Sequence, residues 1–182
     1  APGGAAGVGV TAPDGAPATP ASACGPLQAA IGPLTTRQKL AQLLMVGVTD
    51  IADARSVVRD HNVGGIFIAS WSDLSMLQDG SLRELQVAPA ALPLAVSVDE
   101  EGGRVQRLKS LLGAQPSARE LAQQSSAEQV YQIAKDRGTK MRSFGLTIDF
   151  APDVDITDAP DNTVIGDRSF GNDATTVVEY AG

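Results

Sequence analysis

The chain has 182 residues, 43% of them hydrophobic and 19% charged, enough apolar surface for one packed domain and too much for a disordered one. Its 14 basic and 21 acidic residues leave a formal charge of −7, which argues against a nucleic-acid surface of clustered Lys and Arg. No apolar run reaches the roughly 18 residues that a membrane-spanning helix needs.

Residues 1 to about 33 are dominated by Ala, Gly and Pro, with Asp14 their only charge. Such a stretch offers too little apolar surface to offset its ordering entropy, so a flexible tether is expected. A tether ahead of a globular domain suits an exported, envelope-anchored protein whose signal sequence lies upstream of Ala1 or has been removed. A tail with no address fits the same composition. Cys24 is the single cysteine, so no disulfide closes within the chain. It is a free thiol, the partner of a cysteine beyond residue 182, or a lipidated cysteine. The last option sits poorly with the Pro, Gly and Asp14 before it, which are unlike the apolar stretch of a signal peptide.

From Leu34 onward, helical and strand patterns alternate. Thr35 and Gln38 form a capping box that opens a short amphipathic helix through Leu40, Leu43 and Leu44. Met45–Val48 reads as a buried strand and Ala52–His61 as a helix with Val57 and Val58 inward. Gly64-Gly65 then leads into a strand over Ile66–Ala69. A helix near Met76–Val87 follows, and Pro93 precedes a strand over Leu94–Val98. The longest helix is expected to start at Ser125, with Glu128 completing a second capping box. Its residues Val130, Ile133, Ala134, Met141 and Phe144 fall near one face. Gly145 closes it, Leu146–Phe150 forms another strand, and Asp173–Tyr180 begins a last helix. Short apolar strands alternating with helices predict an α/β fold with a parallel sheet of about four strands. A complete (β/α)8 barrel takes about 250 residues, so the part after the tether amounts to half a barrel with long loops.

Three constellations can carry chemistry. Asp99-Glu100-Glu101-Gly102-Gly103-Arg104-Val105-Gln106-Arg107 directly follows an apolar strand, and ligand sites form at the carboxyl ends of parallel strands. Its two glycines allow a tight turn. Asp99 can accept paired hydrogen bonds from sugar hydroxyls and Arg107 can answer with a fork of donors. A surface loop with internal Asp–Arg pairing fits the same spacing. Asp149-Phe150-Ala151-Pro152-Asp153-Val154-Asp155 ends another strand. Its carboxylates can bind a ligand, coordinate a cation or hold loops together, and structural hydrogen bonding is the reading the spacing favours. Counted from Asp153, a calcium loop would need Gly where Asp158 stands and Glu where Val164 stands. In the long loop Asn162–Gly171, Arg168 either meets a ligand or locks the loop through Asp167. The single histidine, His61, lies at a helix end and is expected to cap the last turn, and no second histidine completes a Ser-His-Asp system. Trp71 either stacks on a sugar ring or anchors its own loop. Gly64-Gly65 and Gly102-Gly103 lack the spacing of a phosphate loop and read as turns.

Taken together, these blocks resemble glycoside hydrolase family 3. The likeness begins at Lys39-Leu40-Ala41-Gln42-Leu43-Leu44 and Val63-Gly64-Gly65-Ile66, and becomes specific at Asp99–Arg107. Asp149-Phe150-Ala151-Pro152 and Val164-Ile165-Gly166-Asp167-Arg168-Ser169-Phe170-Gly171 complete it. It is closest to the β-N-acetylhexosaminidases (β-N-acetylglucosaminidases) that act on cell-wall-derived sugars, with β-glucosidases and β-xylosidases the nearest rivals. The resemblance implies the N-terminal portion of a (β/α)8 barrel, truncated after about four strands. It implies retaining hydrolysis of terminal β-linked N-acetylhexosamine through a glycosyl-enzyme intermediate. In that scheme Asp99, Arg107 and Arg168 hold the terminal sugar's hydroxyls, Arg104 is structural, and Asp155 shapes the site. The nucleophilic Asp and a His acid/base assisted by an Asp are expected beyond residue 182, so the chain is expected to bind sugar without performing the chemistry. No metal or organic cofactor and no nucleic acid is implied. The expected partner is a carbohydrate ending in N-acetylhexosamine. The expected location is extracytoplasmic, secreted or in the envelope, with an upstream lipid anchor as one option. A non-catalytic sugar-binding envelope protein is the alternative from a different class.

Overall fold

The computed structural model describes residues 25–88 and 92–182. Cys24 and residues 1–24 of the expected tether lie outside the described residues. Helix α1 (Gly25–Ile31) falls inside the stretch expected to be tether.

Strands β1 (Met45–Val48), β2 (Gly65–Ile68), β3 (Ala95–Val98) and β6 (Ile148–Asp149) form one parallel sheet in the order β1-β2-β3-β6. This is the predicted α/β arrangement, each strand returning through helical segments. The register aligns Val48 with Ile68, Ile68 with Val98, and Val98 with Asp149. Side chains in such a row point to the same face of a sheet. Val48, Ile68 and Val98 are fully buried there, together with Ile66 and Val96 one pleat below. Met76, Leu82, Leu108, Met141 and Leu146 pack onto that face and complete the main core. Asp149 is therefore the one carboxylate in an otherwise apolar row. A second small core joins Ala118, Leu121, Val130, Phe170 and Val177.

Local signals placed most elements. Helix α2 (Thr36–Ala41) carries the Thr35–Gln38 capping box as expected. It ends earlier than its leucines suggest, because Leu43 and Leu44 donate to Leu40 and Ala41 in a tight three-residue turn. That turn rotates both side chains off the helical face, and Leu43 is 80% exposed. Helix α3 (Ile51–His61) is capped by Asp50, whose carboxylate accepts from Ala52 and Asp53. Its end is closed by Asn62 at φ 56°, in the left-handed region, and not by His61, which is the last helical residue. After α3 the chain passes Gly64, where a Cβ would lie 2.0 Å from the Gln42 carbonyl oxygen. The helix expected near Met76–Val87 is broken into a 3-10 turn (Leu74–Leu77) and α4 (Ser81–Val87), since Gly80 between them sits at φ 87°.

Beyond β3 the chain forms a small antiparallel hairpin of β4 (Glu100–Gly102) and β5 (Val105–Gln106), where sequence pattern offered a loop. Helices α5 (Lys109–Leu112) and α6 (Ala118–Gln124) follow, the latter opened by a Ser117–Glu120 capping box. The long helix α7 (Ala127–Ser143) starts one residue later than expected, with Ser126 and Gln129 as its box. Ser125 is unavailable as its cap because its amide already donates to Leu121 and ends α6. The strand expected over Leu146–Phe150 contracts to the two residues of β6, and α8 (Ala174–Ala181) begins at Asp173 as anticipated. Among the described residues no helix is long and apolar enough to cross a membrane.

Candidate functional site

In a parallel sheet all carboxyl ends lie along one rim. Trp71 follows β2, Asp99 follows β3, and the Asp149–Asp155 segment follows β6, so the fold brings the candidate blocks to a common edge. The β4–β5 hairpin is built by its glycines. Gly102 and Gly103 stand at φ 96° and 54°, and a Cβ on Gly102 would lie 2.4 Å from the Pro116 carbonyl oxygen. The turn folds Arg107 back against Asp99, with Nη2 of Arg107 3.4 Å from Asp99 Oδ2. Both side chains remain partly accessible, at 23% and 28%. The Nε–H of Arg107 is buried and meets no acceptor among the described residues. The pair thus combines the two sequence readings, an internal contact that still leaves donors for a ligand.

Arg168 is held by Glu101 and not by the Asp167 that its spacing suggested. Its Nε and Nη2 donate to the two carboxylate oxygens of Glu101, each at 2.7 Å, in the bidentate geometry that suits a guanidinium. Asp153 lies 3.2 Å from the same Nη2, and Nη1 donates to the Val164 carbonyl at 3.2 Å. Pairing with Glu101 keeps this guanidinium protonated even more firmly than an ordinary arginine, with Asp153 and Asp99 adding to the effect. Asp167, the partner suggested by spacing, instead accepts from Arg104 at 2.8 Å. The Arg104 Nη2 faces the carbonyls of Thr163, Val164 and Ile165. Arg119 does the same for Thr157 and Ala159 and pairs with Asp161 at 2.7 Å. Three arginines therefore pin the long loop between β6 and α8, and Arg104 is structural as expected. Asp155 contributes its backbone: Ser169 donates to its carbonyl at 2.6 Å, and its side chain is exposed.

Beneath the hairpin, Glu100 and Asp149 from two of the candidate blocks meet Arg137, which the sequence pattern did not single out. The Glu100 carboxylate is fully buried. Its Oε2 accepts the backbone N–H of Arg107 at 2.8 Å and of Leu108 at 2.7 Å. Its Oε1 accepts from Arg137 of α7 through Nε at 3.1 Å and also through Nη2. The Glu100 N–H donates in turn to Asp149 Oδ1 at 2.9 Å. Burial pushes the Asp149 carboxyl up to about 6; the Glu100 amide pulls against that, and the charges of Glu100, Asp99 and Glu101 add to the rise. One signal for this group was present in the sequence. Arg137 falls at helical spacing between Ala134 and Met141 on the apolar stripe of α7, where a guanidinium requires a buried partner.

Trp71 is 65% exposed. One ring edge lies 3.2 Å from where a Gly47 Cβ would stand, so Trp71 rests on β1 with its face open. Phe67 and Phe150 pack nearby strand ends together, their ring centroids 6.2 Å apart. Among the described residues no cluster of three or more His, Cys, Asp or Glu is arranged to hold a metal ion.

A family model described as the glycosyl hydrolase family 3 N terminal domain matches residues 35–182. The β-hexosaminidase LpqI of Mycobacterium tuberculosis is 62% identical over 150 residues, covering 82% of this chain and 38% of the relative. A β-hexosaminidase of Idiomarina loihiensis is 34% identical over 139 residues, covering 72% of this chain and 41% of the relative. Among solved structures, a glycosyl hydrolase of this family from Mycobacterium smegmatis superposes with a TM-score of 0.81 at 67% identity, over 83% of this chain and 46% of that one. A family 3 β-N-acetylglucosaminidase from Paenibacillus superposes with a TM-score of 0.72 at 36% identity, over 81% and 30%. The chain thus spans about two fifths of the length of the curated relatives it matches.

Proposed function

Because the chain belongs to glycosyl hydrolase family 3 and carries sequence of its N-terminal domain, we propose that it forms the terminal-sugar subsite of a β-N-acetylhexosaminidase. The reaction is hydrolysis of an O-glycosidic bond, releasing terminal β-linked N-acetylhexosamine from cell-wall-derived or related glycans. The observation that carries this reading is the Asp99–Arg107 pair at the carboxyl rim, where both side chains stay partly accessible beside one another. A sugar hydroxyl both donates and accepts, so it can give its proton to Asp99 while accepting from Arg107. Arg168 adds a cation at the rim, held rigid by Glu101 and Asp153. Most of its donors are already engaged, so its part is to fix charge and shape more than to supply new hydrogen bonds.

In the retaining mechanism that the family implies, a carboxylate attacks the anomeric carbon while an acid protonates the leaving oxygen. Those two groups fall to residues outside these 182, while Asp99 and Arg107 grip the sugar and Arg168 sets charge and shape beside them. The proposal extends to an extracytoplasmic, envelope or secreted location with a lipid anchor as one option, supported by the Ala/Gly/Pro-rich composition of residues 1–33.

The test is a chromogenic aryl β-N-acetylglucosaminide incubated with the 182-residue chain near neutral pH against a buffer blank. Release is expected to stay at the blank for this chain and to appear in a longer protein that joins these residues to the remainder of the domain its relatives possess. Turnover by the 182 residues themselves, lost in Asp99→Ala, would place the reacting groups within them and overturn the assignment.

A further inference from the structure

Resting on the sugar-subsite reading, we propose that the buried Glu100 side chain is a positioning device that sets where Asp99 and Arg107 stand and thereby sets sugar affinity. Glu100 touches no solvent. A buried carboxylate is costly unless its lone pairs are filled. Here both oxygens are engaged, one by the amides of Arg107 and Leu108 and the other by Arg137. Glu100 therefore has no capacity left for a ligand, and what it grips explains its place. It directly follows Asp99 in the chain, and its own N–H is tied to Asp149 on β6. Its carboxylate holds the backbone of Arg107, the partner of Asp99 across the hairpin. Glu100 thus fixes both sugar-facing residues to each other through its carboxylate and to the sheet through its backbone N–H.

Arg137 anchors the device from α7. Its side chain is 12% exposed, and its Nη2 also donates to the Gly113 carbonyl at 3.1 Å, which ties in the segment after the hairpin. Without this grip, the Arg107 end of the hairpin loses the only side-chain acceptor its amide has among the described residues. A displacement of about 1 Å in a positioning group can cost on the order of a hundredfold in productive geometry.

The decisive comparison uses two variants of the 182-residue chain that are both neutral at the pair. Glu100→Gln with Arg137→Met keeps an acceptor for the Arg107 and Leu108 amides, whereas Glu100→Leu with Arg137→Met removes it. N-acetyl-D-glucosamine is titrated against each 15N-labelled protein, with Kd referred to the folded population and Tm measured alongside. The Gln variant is expected to bind within about threefold of the parent and to keep the downfield amide protons of Arg107 and Leu108. The Leu variant is expected to bind tenfold or more weakly and to lose those shifts, even where its Tm matches the Gln variant. Equal Kd for the two would overturn the positioning role, leaving the pair with stability alone. A control, Asp99→Ala, separates the two levels: if it binds the sugar as well as the parent, the subsite reading falls and takes the affinity claim with it.

Discussion

Asp149 shows how one residue's position in a strand sets its chemistry. Its register with Val98 places it in the buried row, and burial lifts its carboxyl from the ordinary 3.8 to about 6. An acid whose pKa is higher in the folded protein than in the unfolded chain holds its proton more tightly when folded. Its contribution to stability is greatest at low pH and falls as pH rises from about 4 to about 6, staying low above that. Asp149→Asn keeps an acceptor for the Glu100 amide but cannot ionise. It is expected to melt above the parent at about pH 8, with the difference shrinking towards about pH 5. Thermal unfolding of both proteins across that range decides it, and a difference that does not depend on pH would mean that Asp149 titrates as an exposed carboxylate. At this same scale the sequence was informative for Asp99 and Arg107, eight residues apart in one hairpin, and uninformative for Arg168, whose partner Glu101 lies 67 positions away. Spacing suggested the neighbouring Asp167, which the fold gives to Arg104 instead.

Among the elements, helix α7 carries the clearest lesson in register. Ser125 and Ser126 are adjacent, and each has an acidic or amide residue three positions on, so the sequence alone permits two capping boxes. Packing of α6 decides between them by consuming the Ser125 amide. Ser126→Ala is accordingly expected to cost about 1 kcal/mol in urea unfolding, and Ser125→Ala less than about 0.5 kcal/mol. The reverse order would return the cap to Ser125. Helix α2 makes the complementary point, since its box was legible from Thr35 and Gln38 but its end was not. The turn that stops it depends on carbonyls of Leu40 and Ala41, which every sequence supplies equally.

For the whole molecule, the sheet leaves β1 and β6 as edges among the described residues. Large apolar side chains gather beside them: Leu43 and Leu44 just before β1, and Ile148 and Phe150 in and after β6, all exposed. Unpaired edges and open apolar faces promote association. Sedimentation velocity is expected to show this chain associating as concentration rises, and Leu43→Lys is expected to reduce that association without lowering Tm. A chain that stays monomeric throughout the range would contradict this. The open edges accord with a four-strand N-terminal portion of a (β/α)8 barrel, the architecture of its family's domain. Alternating strands and helices, the turn glycines and several caps could be read from contiguous residues, because each depends on backbone geometry and hydrogen bonds spanning a few positions. The ion pairs that give the candidate site its shape could not. Glu100 with Arg137 and Glu101 with Arg168 meet across 37 and 67 positions, and a charge buried at such a distance chooses its partner only once the chain has packed.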